Sequence, residues 1–185
     1  MLLPMSQLSP AIFFDRDGTL IEDVHYCKDP ANVRVLPGTI EALKRLKQAG
    51  FRHIIITNQS AIGRGYMTSD EYDAVHARTL ELIGERLLDG AYYCPHSPEH
   101  PSTHRKPATG MVHDAAREHA LDLSRSWFVG DKQIDVECGR AAGTRTILVL
   151  TGRGSAADGA GADFVARDLA EATEFILKSS DASPR

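Results

Sequence analysis

Ala11-Ile12-Phe13-Phe14-Asp15-Arg16-Asp17-Gly18-Thr19-Leu20 is a short apolar run that stops at two aspartates, a glycine and a threonine. It reads as a buried strand delivering carboxylates to a turn, and open α/β sheets gather ligands at the carboxyl ends of their strands. On an extended backbone residues two apart share a side, so Asp15 and Asp17 can serve one substrate group while Arg16 faces away. An aspartate can attack phosphorus and form an aspartyl-phosphate that water later hydrolyses, provided a second group handles the leaving oxygen's proton. Asp15 suits the attack and Asp17 the acid/base work. Gly18 permits a sharp bend and a close approach of phosphate, to which the amides and hydroxyl around Thr19 can donate. Paired carboxylates beside a phosphate need a hard divalent cation, which favours Mg²⁺. The competing reading is a surface turn, since aspartate and glycine favour turns for local reasons.

Three further segments weigh against a plain turn. Gly50-Phe51-Arg52-His53-Ile54-Ile55-Ile56-Thr57-Asn58-Gln59-Ser60 repeats the pattern of a β-branched run ending in small polar residues, which brings Thr57 and Asn58 beside the first turn. Arg105-Lys106-Pro107 precedes a helical segment; Lys106 can hold a phosphoryl oxygen as a compact charge and Arg105 can grip a second anionic group. Trp127-Phe128-Val129-Gly130-Asp131-Lys132-Gln133-Ile134-Asp135 supplies Asp131 as a remaining metal ligand and Asp135 as support behind it. Each segment alone is weak. In this order they make an inventory for phosphoryl transfer.

Strand-like runs alternate with helical periodicity along the chain, which predicts a doubly wound, Rossmann-like parallel sheet covered on both faces. Pro37-Gly38 precedes a helix with Ala42, Leu43, Leu46 and Ala49 on its apolar stripe and Gly50 as its cap. Thr68 and Glu71 form a capping-box pattern opening a long helix, with Tyr72, Val75, Thr79, Leu82 and Leu87 near one face. Strands are expected at Ala91 to Cys94, Ser126 to Val129 and Thr146 to Leu150; helices at Gly110 to Ala120, Gln133 to Ala142 and Leu169 to Lys178.

The 185 residues, 42% of them hydrophobic, fit one domain with one sizeable core. A net charge of −4 with dispersed Lys and Arg excludes a broad nucleic-acid surface, so an anionic substrate must be captured locally by Arg105, Lys106 and Lys132. Cys27, Cys94 and Cys138 are an odd, scattered set that argues against a disulfide framework. The start, with no basic residue and two prolines in ten, is not read as a signal peptide, and no apolar run is long enough to cross a bilayer. The expectation is a soluble, cytoplasmic monomer whose residues 1–10 and 179–185 are flexible.

The four motifs, Asp15-x-Asp17-Gly18-Thr19, the strand ending in Thr57-Asn58, Lys106, and Gly130-Asp131-x-x-x-Asp135, resemble those of the haloacid dehalogenase (HAD) superfamily of phosphatases. Thr57-Asn58-Gln59-Ser60 followed by Gly63-Arg64-Gly65-Tyr66, the Tyr92 to His96 segment and Arg105-Lys106-Pro107 look like its heptose bisphosphate and histidinol-phosphate phosphatase branch. The resemblance implies Asp15 as nucleophile and Mg²⁺ ligand, Asp17 as proton donor that also ligates through its carbonyl, and Asp131 as third ligand. It implies that Thr57 and Lys106 stabilise the phosphoryl group, and that Asp23, Val24, His25, Tyr26, Thr57 to Ser60 (with Asn58 and Gln59), Arg105 and Lys132 contact the substrate. The implied substrate is D-glycero-D-manno-heptose 1,7-bisphosphate, en route to a nucleotide-activated heptose for lipopolysaccharide or capsule. Histidinol phosphate is the alternative substrate, and a non-catalytic phosphosugar-binding domain is the alternative class.

Members of the superfamily often carry a cap domain, but Ile21 to Pro37 is too short for one and Gln59 to Lys106 leaves little room. A capless site is therefore expected, with substrate shape read by loops. Much of the branch holds Zn²⁺ on Cys-x-His and then Cys-x-Cys just before Arg-Lys-Pro. Here Cys94 and His96 keep the first half, while Ser102-Thr103-His104 replaces the second. Cys94, His96, His100 and His104 still offer four nitrogen or sulfur donors for a structural Zn²⁺. The competing reading is a proline-stiffened loop with its imidazoles in solvent.

Overall fold

In the computed structural model, which describes residues 8–100 and 102–181, six parallel strands form one sheet in the order β3-β2-β1-β4-β5-β6. In chain order the elements are β1 (Ala11–Phe14), α1 (Thr39–Gln48), β2 (Arg52–Asn58), α2 (Ser60–Gly63), α3 (Ser69–Ile83) and β3 (Gly90–Cys94), then α4 (Gly110–Glu118), β4 (Trp127–Gly130), α5 (Gln133–Ala142), β5 (Arg145–Val149), β6 (Phe164–Ala166) and α6 (Leu169–Asp181). The chain winds outward from β1 through β2 to β3, then returns to pair β4 on the other side of β1. That reversal makes the β1–β4 boundary the topological switch point, the place where such sheets open a crevice at their carboxyl ends.

The strands read as nearly continuous hydrophobic runs because both faces are covered. Ile12, Phe14, Ile55, Val129 and Ile147 pack on one face with Leu43 and Leu46 of α1 and Ala172 and Ile176 of α6. Their neighbours Ala11, Phe13, Ile54, Ile56 and Phe128 pack on the other with Val112 and Ala115 of α4 and Cys138 of α5. Alternation along each strand thus divides the core between two layers of helices. The Thr68–Glu71 capping box is present, and Tyr72, Val75 and Thr79 are buried as expected, together with Ile83. Leu82 is only partly buried and Leu87 lies in the short helical turn beyond α3.

The structure corrects the expected bounds in a few places. Ala49 is exposed and caps α1, and Gly50, at φ +90°, follows it into the left-handed region. Leu8 to Pro10 are held, with the Ser9 amide donating to the Ala120 carbonyl, the Asp122 amide donating to the Ser9 carbonyl, and Arg125 donating to the Leu8 carbonyl. Residues 179–181 continue α6. The rest of the expected flexible ends, residues 1–7 and 182–185, lies outside the described residues. No described helix is long and apolar enough to cross a membrane.

His53, at the amino end of β2, is fully buried with its Nδ1 2.7 Å from the Leu87 carbonyl and its ring edge-on to Phe14. Burial pulls its pKa from 6.5 down to about 4. The unfolded chain therefore takes up a proton at a higher pH than the folded one, so stability is full above the ordinary histidine pKa and is lost as pH falls toward about 4. The urea-unfolding free energy is expected to decline across that window with a slope of up to about 1.4 kcal/mol per pH unit from this group. His53→Leu should flatten that part of the curve, and an unchanged slope in the variant would assign the decline to other residues.

Candidate active site

Three aspartates meet at the switch point. Asp15 follows β1, Asp131 follows β4, and Asp135 faces back from the first turn of α5. Their carboxylates come within 4.8 Å of one another, the one such group of His, Cys, Asp or Glu ligand atoms among the described residues. All three are buried, at 6%, 0% and 1% exposure, so the charge gathered here must be compensated by protein or cation. Lys106 does much of this. Its ammonium reaches Asp15 Oδ1 at 2.8 Å and Asp135 Oδ1 at 2.7 Å, and donates to the Ile56 carbonyl at 2.8 Å. Burial opposes its charge, but Asp135 and Asp15 push its pKa above the ordinary lysine value.

The carboxylates do not behave alike. Burial works against the charge on Asp15, yet Lys106, then Lys132, hold its pKa below the usual aspartate value. Burial and the nearby Asp15 charge push Asp131 up to about 7. Burial likewise raises Asp135, against the pull of Lys106, and its Oδ2 accepts from the Lys132 amide at 3.0 Å.

Asp131 is fitted by glycines. A Cβ on Gly18, which has φ +89°, would lie 2.6 Å from Asp131 Oδ2, and one on Gly152 would overlap the same oxygen. That oxygen accepts from the Arg153 amide at 3.0 Å, while Asp131 Oδ1 is buried with no hydrogen-bond partner, the Lys132 ammonium lying 3.4 Å away. An orphaned carboxylate oxygen beside Asp15, in an all-oxygen donor set whose third member is taken by Lys106, fits a hard divalent cation such as Mg²⁺.

Above this floor lies a cavity of about 310 Å³ whose lining includes Asp17, Asp23, His25, Tyr26, Asn58, Gln59, Ser60, Arg105 and Lys132. Val24 is not among them; it lines a neighbouring groove with Glu22 and Arg34. Asn58 does more than face the cavity. Its amide binds the Lys106 main chain at both ends, donating to the carbonyl at 3.1 Å and accepting from the N–H at 3.0 Å. Gln59 donates to Asp17 Oδ2 at 2.9 Å and to Thr57 Oγ1 at 3.0 Å. Arg16 does not face away from Asp17 as the strand alternation implies. The chain has left the strand by this point, and the buried Arg16 side chain turns back so that Nε and Nη2 donate to the Asp17 carboxylate at 3.1 and 3.2 Å.

Arg153 is a cavity residue the sequence reading missed. It pairs with Asp23 at 3.1 Å, beside Lys132 at 3.6 Å from the same oxygen. Gly152-Arg153-Gly154 reads as a turn in sequence; its signal was its position just past β5, at the same carboxyl edge as the motifs.

The four candidate Zn²⁺ ligands are not brought together. Cys94 Sγ is buried and lies 3.8 Å from His96 Nδ1 and 3.6 Å from Ser102 Oγ. His100 turns to Ser97 Oγ at 2.9 Å, and His104 Nε2 to Asp114 at 2.9 Å. Ser102 occupies the space beside Cys94 where a metal ligand would stand, so these residues do not fit Zn²⁺. The loop instead carries Arg105, whose Nη1 donates to the His96 carbonyl at 2.9 Å.

Because Lys106 neutralises two buried carboxylates, Lys106→Met should lower the unfolding free energy at pH 7 by about 3–5 kcal/mol. Without the ammonium, Asp15 and Asp135 would bind protons more tightly folded than unfolded, so the deficit should shrink as pH falls toward 4 and the carboxyls neutralise. Urea titrations at the two pH values measure it; a deficit independent of pH would count against the electrostatic account.

The HAD-hydrolase-like family model matches residues 103–172. A protein of Thermosynechococcus vestitus named D-glycero-D-manno-heptose-1,7-bisphosphate 7-phosphatase is 40% identical, the match covering 90% of this chain and 95% of that one. A Yersinia pestis protein named as the β-heptose 1,7-bisphosphate 7-phosphatase is 37% identical over 93% and 97%. The crystal structure of D,D-heptose 1,7-bisphosphate phosphatase from B. bronchiseptica, complexed with magnesium and phosphate, has a TM-score of 0.83 at 33% identity and covers 92% of this chain and 99% of that one. Sharing sequence and fold with them over nearly its whole length, the chain belongs to the HAD-like phosphatases, in the family of the heptose 1,7-bisphosphate 7-phosphatases.

Proposed function

We propose that the chain removes the C7 phosphate of D-glycero-D-manno-heptose 1,7-bisphosphate with Mg²⁺. The observation that carries this reading is the Asp15–Lys106 pair at the switch point, next to the orphaned Asp131 oxygen and beneath a cavity whose cations are Arg105, Lys132 and Arg153. A depressed aspartate beside a buried ammonium is kept ionised as a nucleophile, and the cations outside it suit a substrate carrying a second anionic group.

Asp15 attacks phosphorus as the bond to the C7 oxygen breaks, and Asp17, in its acid form, gives its proton to the departing oxygen. Water then attacks the aspartyl-phosphate, Asp17 takes the proton back, and inorganic phosphate leaves with Asp15 restored. Lys106 and Thr57 hold phosphoryl oxygens, and Asn58 holds Lys106 in register through its main chain. Asp15 and Asp131, with the Asp17 main-chain carbonyl, are the residues that would hold Mg²⁺, which supplies charge stabilisation for the transferring phosphoryl group. Asp135 supports the site from behind, through Lys106. Arg105, Lys132, Asp23, His25, Tyr26, Gln59 and Ser60 read the rest of the sugar bisphosphate. The same reading makes the chain a cytoplasmic monomer, in keeping with its three unpaired, buried cysteines.

A kcat/KM panel over both anomers of the heptose 1,7-bisphosphate, fructose 1,6-bisphosphate and histidinol phosphate tests the substrate; a preference for histidinol phosphate would overturn it. Asp15→Asn should abolish turnover and Lys106→Ala reduce kcat by about 10² to 10³. Mg²⁺ binding followed by calorimetry should strengthen as pH rises through about 7, because Asp131 must release its proton to ligate. Affinity flat between pH 6 and 8 would remove Asp131 from the ligand set.

A further inference from the structure

Arg16 is 1% exposed, and a guanidinium is costly to bury unless a partner compensates it. Its carboxylate partner is Asp17, which it grips as a fork: Nε to Oδ2 at 3.1 Å, Nη2 to Oδ1 at 3.2 Å and to Oδ2 at 3.0 Å. On its other side the guanidinium carbon lies 5.2 Å from the centre of the Tyr72 ring, itself buried on α3 and stacked on His76. Nη1 is buried and has no hydrogen-bond partner. A residue serving only to fill this space would need no charge there, and an apolar side chain of similar length would fill it without desolvating an ion. What the charge adds is the fork, which fixes the plane of one carboxylate.

That carboxylate is held from a second direction by Gln59, whose amide reaches Oδ2 at 2.9 Å. Three N–H groups on two sides therefore hold Asp17 at the wall of the cavity, two residues along the same turn from Asp15. Bidentate pairing is the feature that an ammonium cannot reproduce.

We propose that Arg16 is a positioning residue that aims Asp17 at the leaving oxygen and at the attacking water, with α3 bracing it through Tyr72. The proposal rests on the phosphatase reading above and adds to it a residue that never touches substrate. It separates two kinds of phosphate ester. A sugar alkoxide is a poor leaving group and needs the proton that Asp17 delivers, whereas p-nitrophenolate leaves without one. Water attack on the aspartyl-phosphate needs Asp17 whatever alcohol has left.

The test uses the full chain with Mg²⁺ and the variants Arg16→Met, which leaves an unbranched apolar chain without the charge or the fork, and Arg16→Lys, which keeps the charge but not the fork. For Arg16→Met, kcat/KM on the heptose bisphosphate should fall about 10²-fold or more while kcat/KM on p-nitrophenyl phosphate stays within about five-fold. Rapid mixing with p-nitrophenyl phosphate should show a burst of one p-nitrophenolate per site, followed by slow turnover as the aspartyl-phosphate accumulates. Arg16→Lys should show the same split, smaller, and it decides the matter if circular dichroism shows that the Met variant does not fold. Equal losses on the two esters in Arg16→Lys, or no loss on either, would overturn the positioning role and leave the phosphatase reading standing. If the unaltered chain hydrolyses neither ester, the phosphatase reading itself falls, and this proposal with it.

Discussion

The geometry at the head of the sheet depends on one buried ammonium. Lys106 binds the carboxylates of Asp15 and Asp135 and the Ile56 carbonyl, so it ties together the ends of β1 and β2 and the start of α5. Without it, three aspartates within 4.8 Å would repel one another in surroundings that screen charge poorly. It also sets their differences. Asp15, against Lys106, is held ionised, whereas Asp131 keeps its proton more readily. Two carboxylates driven apart in this way are suited to different tasks, one to attack and one to await a metal.

Close approach is the second constraint. Asp131 can sit against the first turn because Gly18 and Gly152 carry no side chain there, and because the Arg153 amide takes up one of its oxygens. The glycines of the first turn and of the segment after β5 thus serve one carboxylate just past β4, although they are far apart in the chain. Thr151 closes the same junction by donating to the Gly18 carbonyl at 2.7 Å.

Among the described residues, loops at the carboxyl edge line the cavity. The loop after β3 is held by the Cys94, His96 and Ser102 contacts and by Ser97 with His100, and it delivers Arg105 to the rim. Opposite it, His25 and Tyr26 both adopt positive φ, 51° and 57°, in a turn closed by the Asp23 carboxylate accepting from the His25 amide. Their rings meet at 4.2 Å with a 34° tilt, and Tyr26 meets Tyr66 at 5.5 Å, so the rim is aromatic as well as cationic. Such a rim suits a polyol carrying phosphate, with apolar ring faces against carbon and cations against charge.

The motifs at strand ends were legible because a parallel sheet buried on both faces writes its strands as apolar runs, and the polar residue that ends each run must lie at one edge. Asp15, Thr57 and Asp131 were located in this way, whereas Lys106 was placed by Arg105-Lys106-Pro107 before a helical segment and the Thr68–Glu71 cap by its own spacing. Local pattern could not reveal where side chains turn once the strand has ended. Arg16 was read from strand alternation and instead curls back on Asp17; Arg153 was read as part of a turn and instead borders the cavity. The histidines after Cys94 have the donor types of a metal site, but only His96 stays beside Cys94, while His100 turns to Ser97 and His104 to Asp114. Spacing along the chain therefore determined which residues reach the edge of the sheet. Which of them meet there was decided by tertiary structure, because hydrogen bonds and ion pairs form through distances that only the packed helices and loops set.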